Sequence, residues 1–106
     1  MVREVQSTAE YNQIVSKGKV VADFYANWCG PCMQIAPYYA SLAAQFPNVT
    51  FIKVNVDIPH NRAAMQYAQV RAMPTFVFYH NGAMVDRLQG ANTPYIQAKV
   101  AALSKR

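Results

Sequence analysis

The chain has 106 residues, 53% of them hydrophobic, and a formal net charge of +5. That is one domain's length, and a chain this size buries about two-thirds of its unfolded surface, so an apolar core needs no disulfide staples. No apolar run approaches the ~18 residues of a membrane span, and the basic residues are scattered, with only Lys105 and Arg106 adjacent, where nucleic-acid binding calls for a stripe or cluster.

The positive balance fits a preference for acidic partner proteins or plain solubility. Met1-Val2-Arg3-Glu4-Val5 lacks the apolar core of a signal peptide. The cytosol is therefore the expected compartment. There, a cysteine pair is metal-binding or catalytic more often than structural. The chain has two cysteines, Cys29 and Cys32. A bridge across so short a loop stabilises little, so the pair is a better candidate for chemistry than for stapling.

In chain order, Val2 to Val5 reads as a short strand. Ser7-Thr8-Ala9-Glu10 has the capping-box form, which starts a helix running to about Ser16. Gly18 ends it. Lys19 to Ala26 is rich in β-branched and aromatic residues and reads as a buried strand. A turn carries Asn27 to Pro31. Helical spacing then runs from Cys32 to about Phe46, with a kink expected at Pro37. Thr50 to Val56 is a strand. Pro59 to Gln69 is a short helix with Ala64, Met65 and Ala68 facing inward. Thr75 to Tyr79 is a strand, and Asn81-Gly82 is a strong hairpin signal that pairs it with Ala83 to Gln89. Thr93-Pro94 predicts an N-cap followed by proline at the first helical position, and the last helix runs to about Leu103. The order β-α-β-α-β-α-β-β-α implies an α/β domain over residues 1–106. Strands joined through helices should be parallel and the hairpin should add an antiparallel edge. The sum is a mixed five-stranded sheet with helices on both faces.

Cys29 and Cys32 fall just after a buried strand, at the start of a helix. Free N–H groups and the positive end of the helix dipole stabilise an anion there. Cys29, the first and more exposed thiol, should be the attacking thiolate. Cys32, one turn on, should then resolve the mixed disulfide. Gly30 and Pro31 supply no positive side chain. A histidine there would stabilise the thiolate and make the disulfide an oxidant; without one, the dithiol should be the stronger reductant. A lone CxxC is also half a zinc site. His60 and His80 lie 20 positions apart, which does not match zinc-finger spacing.

The stretch Asp23-Phe24-Tyr25-Ala26-Asn27-Trp28-Cys29-Gly30-Pro31-Cys32 resembles the active-site signature of the thioredoxin family. A low thiol pKa is already a property of that family, so it adds no independent support. The likeness extends to Met73-Pro74-Thr75, Asn81-Gly82 and Gly90-Ala91. Length and start are similar to those of cytosolic eukaryotic members.

Several roles follow from the resemblance. Asp23 reads by periodicity as an acid on a solvated face, yet its flanks look buried. The family places a buried aspartate below the second cysteine, as proton acceptor for Cys32. Lys53 is either a lysine reaching out to solvent or, as often in the family, an ammonium near that acid. Pro74 is an ordinary strand-start proline or, by resemblance, part of a cis Met73–Pro74 bond facing the cysteines. Trp28 is either core or, with Gly30, Pro31, Met73, Gly90 and Ala91, part of a flat apolar docking surface. The sequence departs from the family in Met33, where a lysine is frequent, in Arg71 near the docking loop, and in its basic charge.

Three functions compete. The first is a monomeric general dithiol reductase. The resemblance implies that thioredoxin reductase would recharge it through FAD and NADPH, and that peroxiredoxins, ribonucleotide reductase or methionine sulfoxide reductases would take its electrons. The chain has no dinucleotide fingerprint and no expected cofactor of its own. The second is an oxidase or isomerase of the disulfide-isomerase type. The third is a binding module cut from a larger protein.

Overall fold

In a computed structural model that describes residues 1–106, strands β1 (Val2–Val5), β2 (Lys19–Tyr25), β3 (Thr50–Asn55), β4 (Thr75–His80) and β5 (Ala83–Gln89) form one sheet. Their order is β1-β3-β2-β4-β5. Helices α1 (Thr8–Val15), α2 (Gly30–Gln45), α3 (Arg62–Tyr67) and α4 (Thr93–Ser104) cover it. The mixed five-stranded α/β architecture is as expected.

Alternation along β2 divides the core. Val20, Ala22 and Phe24 point to one face and pack with Tyr11 and Val15 of α1 and Ala64 of α3. Val21 points to the other, with Ile35, Tyr39 and Leu42 of α2 and Ile96 and Val100 of α4. A strand covered on both faces has no solvated side. This is why Lys19 to Tyr25 reads as a continuous apolar run and why an acid within it is conspicuous.

The pairing departs from expectation at one strand. β1 and β2 both run parallel to β3, but β4 is antiparallel to β2 although a helix precedes it. β4 therefore enters the sheet from the same end at which β3 leaves it. The expected helix over 59–69 is broken into a 3-10 turn, Pro59–Asn61, and α3. Gln69, at φ 56°, stops it.

Caps explain the other boundaries. Ser7 Oγ accepts from Glu10 N at 3.1 Å, as the capping box requires, but Glu10 reaches back to Gln6 N rather than to Ser7. The N-cap of α4 is Asn92, whose Oδ1 accepts from Tyr95 N at 3.0 Å. Thr93 is therefore already helical, one residue earlier than expected. At the hairpin, Asn81 and Gly82 both have positive φ, the requirement of the two-residue turn that matches strand twist. α2 runs unbroken from Gly30 to Gln45 with Pro37 inside it.

Candidate active site

β2 and β3 end at the same edge of the sheet, and the turn after β2 delivers Cys29 there. Cys29 N donates to Ala26 O at 3.1 Å, closing the turn. Helix α2 begins at Gly30, two residues earlier than the sequence suggests, because Cys29 is itself the N-cap: its Sγ accepts from Cys32 N at 3.2 Å. The first sulfur therefore sits on the positive end of the helix and takes one of its unsatisfied N–H groups. Pro31 falls in the first turn, where its missing N–H costs nothing.

Cys29 and Cys32 are joined as a disulfide with Cα atoms 5.3 Å apart. Cys29 is 6% exposed and Cys32 1%, so only the first presents an edge to an incoming molecule. Cys29 Sγ lies 3.6 Å from Met73 O. Met73–Pro74 is cis, and Gly90 N donates to Pro74 O at 2.8 Å, tying the end of β5 to this loop. Of the residues expected to form a docking surface, Trp28, Gly30, Pro31 and Ala91 are exposed, Met73 and Gly90 are half-buried, and Pro74 is buried beneath them. Pro31 and Ala91 share a shallow depression with Ile35 and Tyr38.

Trp28 is 69% exposed, so it is not a core residue. Its Nε1 donates to Asp57 Oδ2 at 2.9 Å. Asp57 was not singled out from the sequence. The available signal was an acid just past β3, at the sheet edge where β2 delivers the cysteines. Met33 and Arg71 are both exposed.

Asp23 shares its face of β2 with Val21, and so faces α2. It is 1% exposed, and neither carboxyl oxygen has a hydrogen-bond partner among protein atoms. Burial pushes its pKa up to about 7, the Lys53 ammonium pulls it back, and Glu4 adds to the rise. Loss of hydration outweighs the one nearby cation. Lys53 is half-buried, and its charge acts on Asp23 in the sense the resemblance implies, lowering that pKa against burial. It makes no ion pair with Asp23; its Nζ rests 4.3 Å from the centroid of the Tyr25 ring. Tyr39, from α2, is also buried near this acid. Its hydroxyl donates towards Val21 O and Ile52 O, at 3.0 and 2.9 Å, and burial holds its pKa well above the ordinary range.

No three His, Cys, Asp or Glu side chains converge to hold a metal ion. No helix is long and apolar enough to cross a membrane.

The chemistry open to this arrangement is narrow. A cysteine pair held within bonding reach, with one sulfur at a helix N-terminus and partly open to the outside, exchanges its bond with another disulfide. The domain is thus a thiol–disulfide oxidoreductase. The family model described as Thioredoxin matches residues 2–102, and the chain belongs to the thioredoxin family. It is 42% identical over 103 residues to Thioredoxin-1 of Schizosaccharomyces pombe, covering 96% of this chain and 98% of that protein. Among solved structures, thioredoxin from Trypanosoma brucei brucei superposes with a TM-score of 0.92 at 33% identity, covering 100% of this chain and 93% of that one. The chain is also 44% identical over 95 residues to a peptide-N(4)-(N-acetyl-beta-glucosaminyl)asparagine amidase of Caenorhabditis briggsae, covering 86% of this chain. It spans only 15% of that amidase, and 17% of the amidase of the same name from Caenorhabditis elegans.

Proposed function

We propose that residues 1–106 act as a single domain that reduces protein disulfides. The observation that carries this reading is Cys29 Sγ at the N-cap of α2, beside an exposed Trp28 and the Met73 carbonyl. In the reduced protein, the Cys29 thiolate attacks one sulfur of a substrate disulfide. That forms a Cys29–substrate bond and releases the other substrate sulfur as a thiolate. Asp23, directly or through a water, takes the proton of Cys32. The Cys32 thiolate then attacks Cys29 Sγ, closing the intramolecular disulfide and releasing the second substrate thiolate. Two electrons pass to the substrate, whose two thiolates are protonated by the Cys32 proton that Asp23 took and by one proton from solvent. Trp28, Gly30, Pro31, Met73, Pro74, Gly90 and Ala91 form the docking surface, where the Met73 backbone bonds an extended substrate segment as an added strand. Lys53 tunes Asp23.

Family membership supports the rest of the reading: a monomer in the cytosol with no bound cofactor of its own. Thioredoxin reductase would recharge it through FAD and NADPH, and peroxiredoxins, ribonucleotide reductase and methionine sulfoxide reductases would be its electron acceptors. The amidase relatives favour a second reading, in which the same redox domain is one module of a longer protein.

A turnover assay tests the reductase reading. With dithiothreitol as electron source, catalytic amounts of the chain should speed reduction of insulin disulfides several-fold over the reagent alone. A rate equal to dithiothreitol alone would overturn it.

A further inference from the structure

The row of charges running from the edge of the sheet to Asp23 is not explained by the cysteine chemistry alone. Glu4 on β1 is in register with Lys53 on β3, and Lys53 is in register with Asp23 on β2. Register partners in neighbouring strands lie ~4.8 Å apart and point to the same face. The result is an acid, a base and an acid side by side, spanning ~10 Å. Yet Lys53 pairs with neither acid. What holds it is Tyr25, two residues beyond Asp23 on β2. The Tyr25 hydroxyl donates to Glu4 Oε1 at 2.7 Å, which draws its ring across β3, and the Lys53 ammonium sits on that ring. A cation over an aromatic face is attracted by the ring quadrupole, the more so the drier the site. That is enough to hold a flexible side chain in one of several accessible positions.

We propose that Glu4 and Tyr25 are positioning residues that hold the Lys53 ammonium on the Tyr25 ring, short of an ion pair with Asp23. Glu4 anchors Tyr25, and Tyr25 shelves Lys53. With Glu4 removed, the shelf loses its anchor and Lys53 has one carboxylate left to approach. The inference rests on the reading of Asp23 as the base for Cys32, but its test is independent of that reading. The other titratable groups facing Asp23 are few. They are Tyr39 from α2, besides Tyr25 on its own strand. On β4 its register neighbour is Phe76, and α4 contributes Ile96, Val100 and Leu103 to this face. The direct repulsion of Glu4 on Asp23 acts in the same sense as the clamp, so the two effects must be separated.

The experiment is an NMR titration of the Asp23 side-chain carboxyl carbon in the oxidised protein. Glu4 is exposed, so Glu4→Gln should fold normally. Its Asp23 midpoint should fall by about half a unit to one unit, the size expected for a charge ~10 Å away plus the released cation. Tyr25→Phe, which keeps the ring and breaks only the tie to Glu4, should move it the same way by less. The deciding comparison is Glu4→Gln in a Lys53→Met background. The clamp predicts a smaller shift there than in the wild type, because only the direct repulsion is left to lose. Equal shifts in the two backgrounds, or an unmoved midpoint in Glu4→Gln, would overturn the proposal. If the midpoint falls as stated but the pH profile of Cys32 attack does not follow it, the clamp stands and the role of Asp23 as base is what fails.

Discussion

Replacing Asp23 with Asn should flatten the fall in stability that the wild type shows between about pH 4 and pH 8. The sign follows from the raised pKa. An aspartate ordinarily titrating at 3.8 titrates at about 7 in the folded protein. Below 3.8 both the folded and unfolded forms hold the proton, and the group is neutral in the balance. As pH rises, the unfolded chain ionises first, so the folded form holds the extra proton and stability drops. The loss is complete above the folded pKa and amounts to about 4 kcal/mol. A buried acid with no hydrogen-bond partner is thus a standing cost to the fold at neutral pH, and the Asn variant cannot ionise. Glu10 contributes a slope of the opposite sign. Its pKa is lowered by the Gln6 N–H and by Arg3, so its stabilisation is present at neutral pH and lost as pH falls. It is common to both proteins and cancels in the comparison. Urea unfolding of the two proteins at pH 4, 6 and 8 measures the difference. Parallel curves would show that Asp23 titrates normally. The same variant should slow disulfide reduction at neutral pH by about tenfold to a hundredfold, because a positioned base contributes ~10²–10⁴ and solvent bases recover part of it.

The two cysteines should fail in different ways. Cys29→Ser removes the only cysteine sulfur with an accessible edge and the only one at the N-cap of α2. Turnover should fall to the level of the uncatalysed reaction, and no adduct should form. Cys32→Ser keeps the attacking sulfur and removes the resolving one. The first exchange proceeds and the second cannot, so the protein should accumulate as a mixed disulfide of one chain per substrate chain. Mass spectrometry of each variant after incubation with a disulfide-bonded protein, without reductant, reads this directly. Adducts on Cys29→Ser but not on Cys32→Ser would reverse the assigned roles.

These expectations rest on features of unequal legibility in the sequence. The strands were readable because burial on both faces leaves β2 and β4 almost free of polar residues, and Asn81-Gly82 fixes the hairpin. The cysteine motif marks its own position between strand and helix. What the sequence does not carry is lateral order. That β1 lies beside β3, and β3 beside β2, decides that Glu4, Lys53 and Asp23 share a row. No local pattern along any one strand shows this, which leaves Lys53 open between solvent and the buried acid. Nor does any local pattern show the direction in which β4 enters the sheet. Asp57 reaches Trp28 only because two strands end at one edge. The start of α2 was placed late for a chemical reason. Cysteine is not among the residues usually read as caps, yet here its sulfur accepts the N–H that a serine or aspartate would take elsewhere. Asn92 is masked as a cap because the adjoining Thr93-Pro94 satisfies the same pattern one residue later.

The reduction potential of the Cys29/Cys32 couple tests the central claim most directly. Equilibration against glutathione or dithiothreitol buffers should place it below the cytosolic glutathione poise, roughly −220 to −260 mV by extraction, as a dithiol with only Gly30 and Pro31 between its cysteines should be. A potential well above that range would make the domain an oxidant or isomerase and contradict the reductase account.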